Sequence, residues 1–212
     1  MWKHLCLTMI LGVVLTLPNP VTAETSPTET IRTSVNDILT LLKNDQLDKE
    51  TRRDRMRAVI DARFDFRAMS QRTLAVNWKK ASDEEQQQFV DLFTQLIQNS
   101  YVGKIEAYTN ETVEYPTEKV KGRKAVVDTL IITSSKEIPI SYRVYLKNDQ
   151  WYVYDVIIEG VSLISNYRSS YQEIVNREGF AGLLARMEEK IRELDNPPSE
   201  EGGDAAEAGP PA

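Results

Sequence analysis

Histidine and cysteine are almost absent: His4 and Cys6 are the only examples in 212 residues, and both fall within the first six positions. Those positions belong to a stretch that reads as an export signal. Lys3 gives a short positive start, Leu5–Leu17 is an apolar run, and Val21-Thr22-Ala23 is a small-residue cleavage site. The run is too short for a membrane span, and no similar run follows it. Cys6 lies at the start of the run rather than after it, which argues against a lipoprotein-type attachment. Cleavage after Ala23 leaves a mature chain that starts near Glu24 and has no thiol, disulfide or imidazole. That excludes His-paired nucleophiles, Cys/His zinc sites and proximal-His haem together.

Other catalytic signatures are missing as well. There is no phosphate-cradling glycine loop and no carboxylate-rich calcium loop. Gly160-Val161-Ser162-Leu163-Ile164 has the start of a nucleophile elbow but lacks the second glycine and any histidine base. An enzyme built on this chain would have to work with carboxylates, Tyr, Lys or Ser. What the chain does have is apolar material: 41% hydrophobic and 27% charged residues with net charge −6, enough for one soluble domain with a real core.

Along the mature chain, Ser26-Pro27-Thr28-Glu29 reads as a capping box with proline at the first helical position. Ile31, Val35, Ile38, Leu39 and Leu42 continue it as one helical stripe ending near Asn44. A mostly polar helix follows over Asp48–Ala62, and a short one over Phe66–Val76. Lys49–Lys80 holds ten Lys/Arg against four Asp/Glu, a local +6 in an acidic protein. It is either a solvated face with intrahelical ion pairs or a docking surface, around Arg52, Arg53, Arg55 and Arg57, for an acidic partner or anionic head groups. Overall charge and export argue against nucleic acid. Ser82-Asp83-Glu84-Glu85 is a second capping box. It opens the longest helix, about 40 Å, whose stripe of Phe89, Leu92, Phe93, Leu96, Ile97, Tyr101, Ile105 and Tyr108 is either core or cavity wall.

Four strands follow without intervening helices: Thr112–Tyr115 ended by Pro116, Lys124–Ser134, Ile138–Lys147, and Trp151–Ile158 after a hairpin turn at Asn148-Asp149-Gln150. The last strand is apolar on both alternating sets, Tyr152/Tyr154/Val156/Ile158 and Trp151/Val153/Asp155/Ile157, so it needs cover on both sides. Glu159-Gly160 breaks it, and Ser162 caps a helix with Ile164, Tyr167, Tyr171, Ile174 and Val175 on one face. Gly179 ends that helix and Phe180–Leu194 forms a final one. Residues 196–212 are Pro, Gly, Ala and acid without apolar periodicity, the composition of a disordered tail. The class is α+β with an antiparallel four-stranded sheet.

The string WYVYDV over residues 151–156, with IEGVSL over 158–163 and NYR over 166–168, resembles the signature of the MlaC/toluene-tolerance family. FDF over 64–66 with Met69-Ser70, and WKKAS over 78–82 before Phe89, are similar to the family's N-terminal half. The resemblance covers residues 28–194 and departs from the family at Leu74-Ala75, where Leu-Gly is usual, and in the acidic tail. It implies a curved NTF2-like sheet with helices closing a deep apolar cavity, and no catalysis. It further implies a monomeric periplasmic carrier with no cofactor, whose ligand is a phospholipid. Such a carrier would move lipid between an outer-membrane lipoprotein–porin complex and an inner-membrane Mla-type ABC transporter, maintaining outer-membrane lipid asymmetry.

Strand alternation and helical spacing then nominate a lipid-binding lining: Val127, Tyr142, Val144, Tyr154 and Val156 on the sheet, with Tyr101, Ile105, Tyr108 and Ile164 on helices. Two other functions stay open. Cavities of this fold also house acid–base enzymes, and Asp128 or Asp155 with Tyr142 or Tyr154 would make such a site, unless those aspartates are simply satisfied by Ser, Tyr or Arg. A periplasmic chaperone or adaptor would instead present an open apolar groove.

Overall fold

The computed structural model describes residues 25–108 and 111–196; the export signal expected over 1–23 and the acidic tail beyond Asn196 lie outside the described residues. Five helices and five strands follow in the order α1 (Pro27–Leu42), α2 (Lys49–Arg63), α3 (Phe66–Leu74), a 3₁₀ turn (Ala75–Lys80), α4 (Asp83–Glu106), β1 (Thr112–Lys121), β2 (Lys124–Ile132), β3 (Glu137–Lys147), β4 (Gln150–Ile158), β5 (Val161–Ser162) and α5 (Leu163–Asp195). Each helix starts on a side-chain cap, from Ser26, Asp48, Asp65, Ser82 and Ser162 respectively. At Ser82 the reciprocal bond from Glu85 completes the capping box.

The strands form one antiparallel meander in sequence order, so the α+β class stands while the strand count rises from four to five. The fifth strand exists because Glu159 and Gly160 both take positive φ, 49° and 85°, and turn the chain back on itself. Val161 then pairs with Ile158 and Ser162 with Ile157. The first strand also differs from its expected length. It runs through Pro116 to Lys121, because the register shifts between Glu114 and Thr117 and no ladder bond is asked of the proline. The third helix stops at Leu74 rather than Val76: Ala75 takes φ 51°, ψ −117°, where an α-helix cannot continue. At Gly179 the backbone leaves the helix (φ 76°, ψ −177°), which divides α5 where the sequence placed a break.

A second irregularity matters more for function. Arg143 pairs with Asp155, but Val144 pairs with Val153, so Tyr154 is an extra residue on β4. The alternation of β4 changes phase there. Trp151 and Val153 on one side of the bulge share a face with Val156 and Ile158 on the other, and all four belong to the cluster between sheet and helices.

Two apolar clusters result. One fills the space between α3, α4 and α5: Phe89 stacks on Phe93 at 5.6 Å, with Tyr171 edge-on to Phe89 at 5.8 Å and Tyr167 edge-on to Phe93 at 5.5 Å. The other lies between α1 and the sheet, around Ile31, Ala125, Val127, Val144, Trp151 and Val153. The stripe of α4 is therefore divided: its first half is packed core, and its second half walls the cavity described below. A parallel bridge from Phe64 to Val153, with the Asp65 amide donating to the Val153 carbonyl at 2.9 Å, ties the α2–α3 corner to β4.

Candidate functional site

Between the sheet and α1, α2 and α4 lies a cavity of about 460 Å³. Its walls are aliphatic and aromatic: Val35, Ile38, Leu39 and Leu42 from α1, Val59 and Ile60 from α2, Ile97, Tyr101 and Ile105 from α4, and Ile131, Ile138, Ile140, Tyr142, Val156 and Ile158 from the strands. Most of these side chains are only half-buried although they face inward. Ile31 and Val35 pack on the sheet-side cluster, and beyond them the apolar stripe of α1 faces the cavity. Val161, 56% exposed, stands at the opening with Lys104, Lys136, Glu159 and Asn166.

Of the nine nominated lining residues, Tyr101, Ile105, Tyr108, Tyr142 and Val156 come together on this cavity. Val127, Val144, Tyr154 and Ile164 do not line it. Val127 and Val144 are fully buried in the packed cluster beside it, where Ile31 and Trp151 fill the space. Ile164 packs into the α3–α4–α5 cluster. Tyr154 lies on the outer face of the sheet, under the Arg72 guanidinium at 4.2 Å and 6.0 Å from the Tyr145 ring, because of the bulge. The largest contribution that the sequence does not reveal is that of α1, because nothing in the period of its stripe separates a face on a void from a face on a core.

Burial pushes the Tyr101 hydroxyl upward in pKa and carries that of Tyr142 up to about 12, so both stay neutral inside the cavity. Tyr108 is raised by burial, and then by the nearby carboxylates of Glu111 and Glu159.

The acid–base pairs that an enzyme would need are not assembled. Asp128 accepts hydrogen bonds from Thr117 and, at 2.6 Å, from Ser141, and the Ser141 bond leads in holding it below the usual carboxylate range. Asp155 accepts from Arg143 at 2.9 Å, from Ser162 and from the Ile164 amide, so it anchors the start of α5. Asp128 shares a ladder rung with Ser141, one residue off the Val127–Tyr142–Val156 rung, and so points to the outer face. Neither aspartate lines the cavity. Among the described residues no group of three His, Cys, Asp or Glu could hold a metal ion.

The basic surplus is largely used internally. Arg53 makes a bidentate pair with Glu106 at 2.6–2.9 Å, Arg57 bonds Asp54 and Asn99, and Arg52 donates to the carbonyls of Asn44 and Leu47. Arg55 is left exposed.

Fold and site together define a helix-covered antiparallel sheet that encloses an apolar binding cavity and assembles no catalytic constellation among the candidates above. Comparison with known proteins specifies the class. The family described as MlaC protein matches residues 32–189, and the chain belongs to that family. It is 26% identical over 124 residues to the Haemophilus influenzae intermembrane phospholipid transport system binding protein MlaC, covering 56% of this chain and 58% of that one. The chain thus aligns with less than two thirds of that relative's length. A phospholipid-binding protein from Ralstonia solanacearum, solved in complex with a phospholipid, superposes with a TM-score of 0.72 at 26% identity, over 79% of this chain and 97% of that one.

Proposed function

We propose that this protein is a lipid carrier that holds phospholipid acyl chains in the cavity between α1, α2, α4 and the sheet. One observation carries the reading: half-buried apolar side chains from three helices and four strands converge on a single void without closing it. Moving a diacyl lipid through water exposes some thirty methylenes at about 0.8 kcal/mol each, a gross cost of about 20–25 kcal/mol. An enclosed apolar wall offsets that cost; scattered surface leucines do not. The structural neighbour with a bound phospholipid and the MlaC relative support the same assignment.

Within this reading the protein works in the periplasm after removal of residues 1–23, exchanging lipid with an outer-membrane lipoprotein–porin complex and an inner-membrane ABC transporter. Its candidate lipid contacts are Tyr101, Ile105, Tyr108, Tyr142 and Val156, joined by the α1 stripe. Native mass spectrometry of the protein purified from its own periplasm tests this. Phospholipid bound in stoichiometric amount is the expected result. Protein that is folded, lipid-free and unable to take lipid from vesicles would refute it. No arrangement in the cavity favours the enzymatic alternative.

A further inference from the structure

We propose that the mouth of the cavity selects lipids whose headgroup carries a protonated amine beside its phosphate, in preference to headgroups that are only anionic. This rests on the carrier reading and names the class of lipid carried.

The fold brings four charges to one opening. The end of α4, the start of β1, the β2–β3 turn and the β4–β5 turn all meet at one end of the sheet: Thr112 pairs with Ile132, Ile132 with Glu137, and the Glu159 amide donates to the Pro139 carbonyl at 2.9 Å. Lys104, Glu111, Lys136 and Glu159 line the cavity there. They do not neutralise one another. Glu111 has one carboxylate oxygen, Oε2, that is buried and has no hydrogen-bond partner among the described residues. Lys104 lies over the Tyr101 ring, 5.5 Å from its centroid. Lys136 is fixed through its backbone, its amide donating to Thr133 Oγ1 at 2.9 Å and its carbonyl accepting from the Thr133 amide at 3.0 Å.

A buried acceptor without a donor is rare in a folded protein and asks what supplies the donor. The cavity supplies the answer in general terms, since its cargo ends at this opening. Glu111, Glu159 and Tyr108 all line the cavity at this end, so the two carboxylates share one rim. An alkylammonium there offers three N–H donors, enough to engage the Oε2 of Glu111 and a second acceptor. The lysines stand ready for the phosphate: Lys104, in the last turn of α4, and Lys136, in the β2–β3 turn, line the same opening. A purely anionic headgroup would satisfy the lysines equally well. Its hydroxyls would offer Glu111 at most a neutral donor, without the positive charge that an ammonium sets against the carboxylates.

The test is competitive loading. Purified protein is incubated with vesicles of equal parts phosphatidylethanolamine and phosphatidylglycerol, and the bound lipid is quantified by mass spectrometry. The expected preference for the amine lipid is about tenfold, the size of one charge-assisted hydrogen bond. The double variant Glu111→Gln, Glu159→Gln should bring the ratio close to one through loss of bound amine lipid. Glu159→Gln alone, at an exposed turn position, should lose part of the preference even if the double variant folds poorly. Equal loading by the unmodified protein, or a preference that survives these substitutions, overturns the proposal and leaves the carrier reading intact. Capture of neither lipid overturns both.

Discussion

Arg143 faces Asp155 across β3 and β4, yet the next rung joins Val144 to Val153 and leaves Tyr154 without a partner. That one extra residue decides which side chains reach the cavity. It keeps Val156 opposite Tyr142 on the inner face and sends Tyr154 out to stack beneath Arg72.

The distinction between wall and core is testable with two tryptophans. Ile140 lines the cavity half-buried, whereas Val144, four residues along the same strand face, is fully buried in packed core. Ile140→Trp should occupy empty volume and lower lipid occupancy while stability changes by less than about 1 kcal/mol. Val144→Trp should overpack and destabilise by about 1–3 kcal/mol. Occupancy by native mass spectrometry and urea unfolding of the same samples separate the two. Identical behaviour of the pair would show that the wall is not where the void places it.

Ala75 ends α3 at φ 51°, ψ −117°, a conformation that L-residues adopt only under strain. Ala75→Gly should therefore stabilise the protein by about 1 kcal/mol, the relief of strain exceeding the extra entropy of glycine in the unfolded chain. For a domain of this size that is a rise of about 2–4 °C in Tm. A lower Tm for the glycine variant would mean that the turn carries no strain.

Acid should loosen the α2–α3 corner. Burial raises the Asp65 carboxyl, but hydrogen bonds from Tyr145, from the Ala68 amide at 2.8 Å and from Lys147 at 3.2 Å outweigh it and leave its pKa below the ordinary value. A carboxylate depressed in the folded state contributes stability that is fully present above its unfolded value, near 4, and is lost as pH falls through the folded one. Asp65→Asn should flatten that acid limb. Removal of the cap by Asp65→Ala should in addition cost about 0.5–2 kcal/mol at neutral pH. Chemical unfolding followed from pH 7 down to 3 measures both, and an unchanged acid limb in Asp65→Asn would assign the acid sensitivity elsewhere.

The arginines of α2 should separate into two kinds. Glu106→Gln removes the charge that the half-buried Arg53 guanidinium engages with two bonds, and should cost about 1 kcal/mol of stability. Arg55→Glu, on an exposed position of the same helix, should stay within about 0.5 kcal/mol of the unmodified protein. Equilibrium unfolding decides; equal losses would contradict the division.

Helix starts were legible because they depend on local chemistry: Ser26, Ser82 and Ser162 cap where they are expected to. The hairpin at Asn148-Asp149 was legible for the same reason, both residues taking positive φ. Pro116 misled because a proline ends a strand by propensity, while here the bulge excuses its missing N–H. Of the nine residues nominated, five lie on the cavity: Tyr101, Ile105 and Tyr108 along and just after α4, with Tyr142 and Val156 on facing strands. Tyr154 was misplaced because alternation is a count, and one inserted residue inverts it. The role of α1 stayed hidden because its stripe looks the same over a core as over a void.

The apolar interior is divided between two bodies. Phe89, Phe93, Tyr167 and Tyr171 interlock on the α3–α4–α5 side, away from the walls that α1, α2 and the strands give the cavity. For the proposed carrier this means that the fold does not lean on a cargo, because the ring-to-ring packing draws nothing from the cavity's contents. Exchanges among Ile, Leu and Val on the cavity side should therefore reshape the hold at small cost to the aromatic keystone.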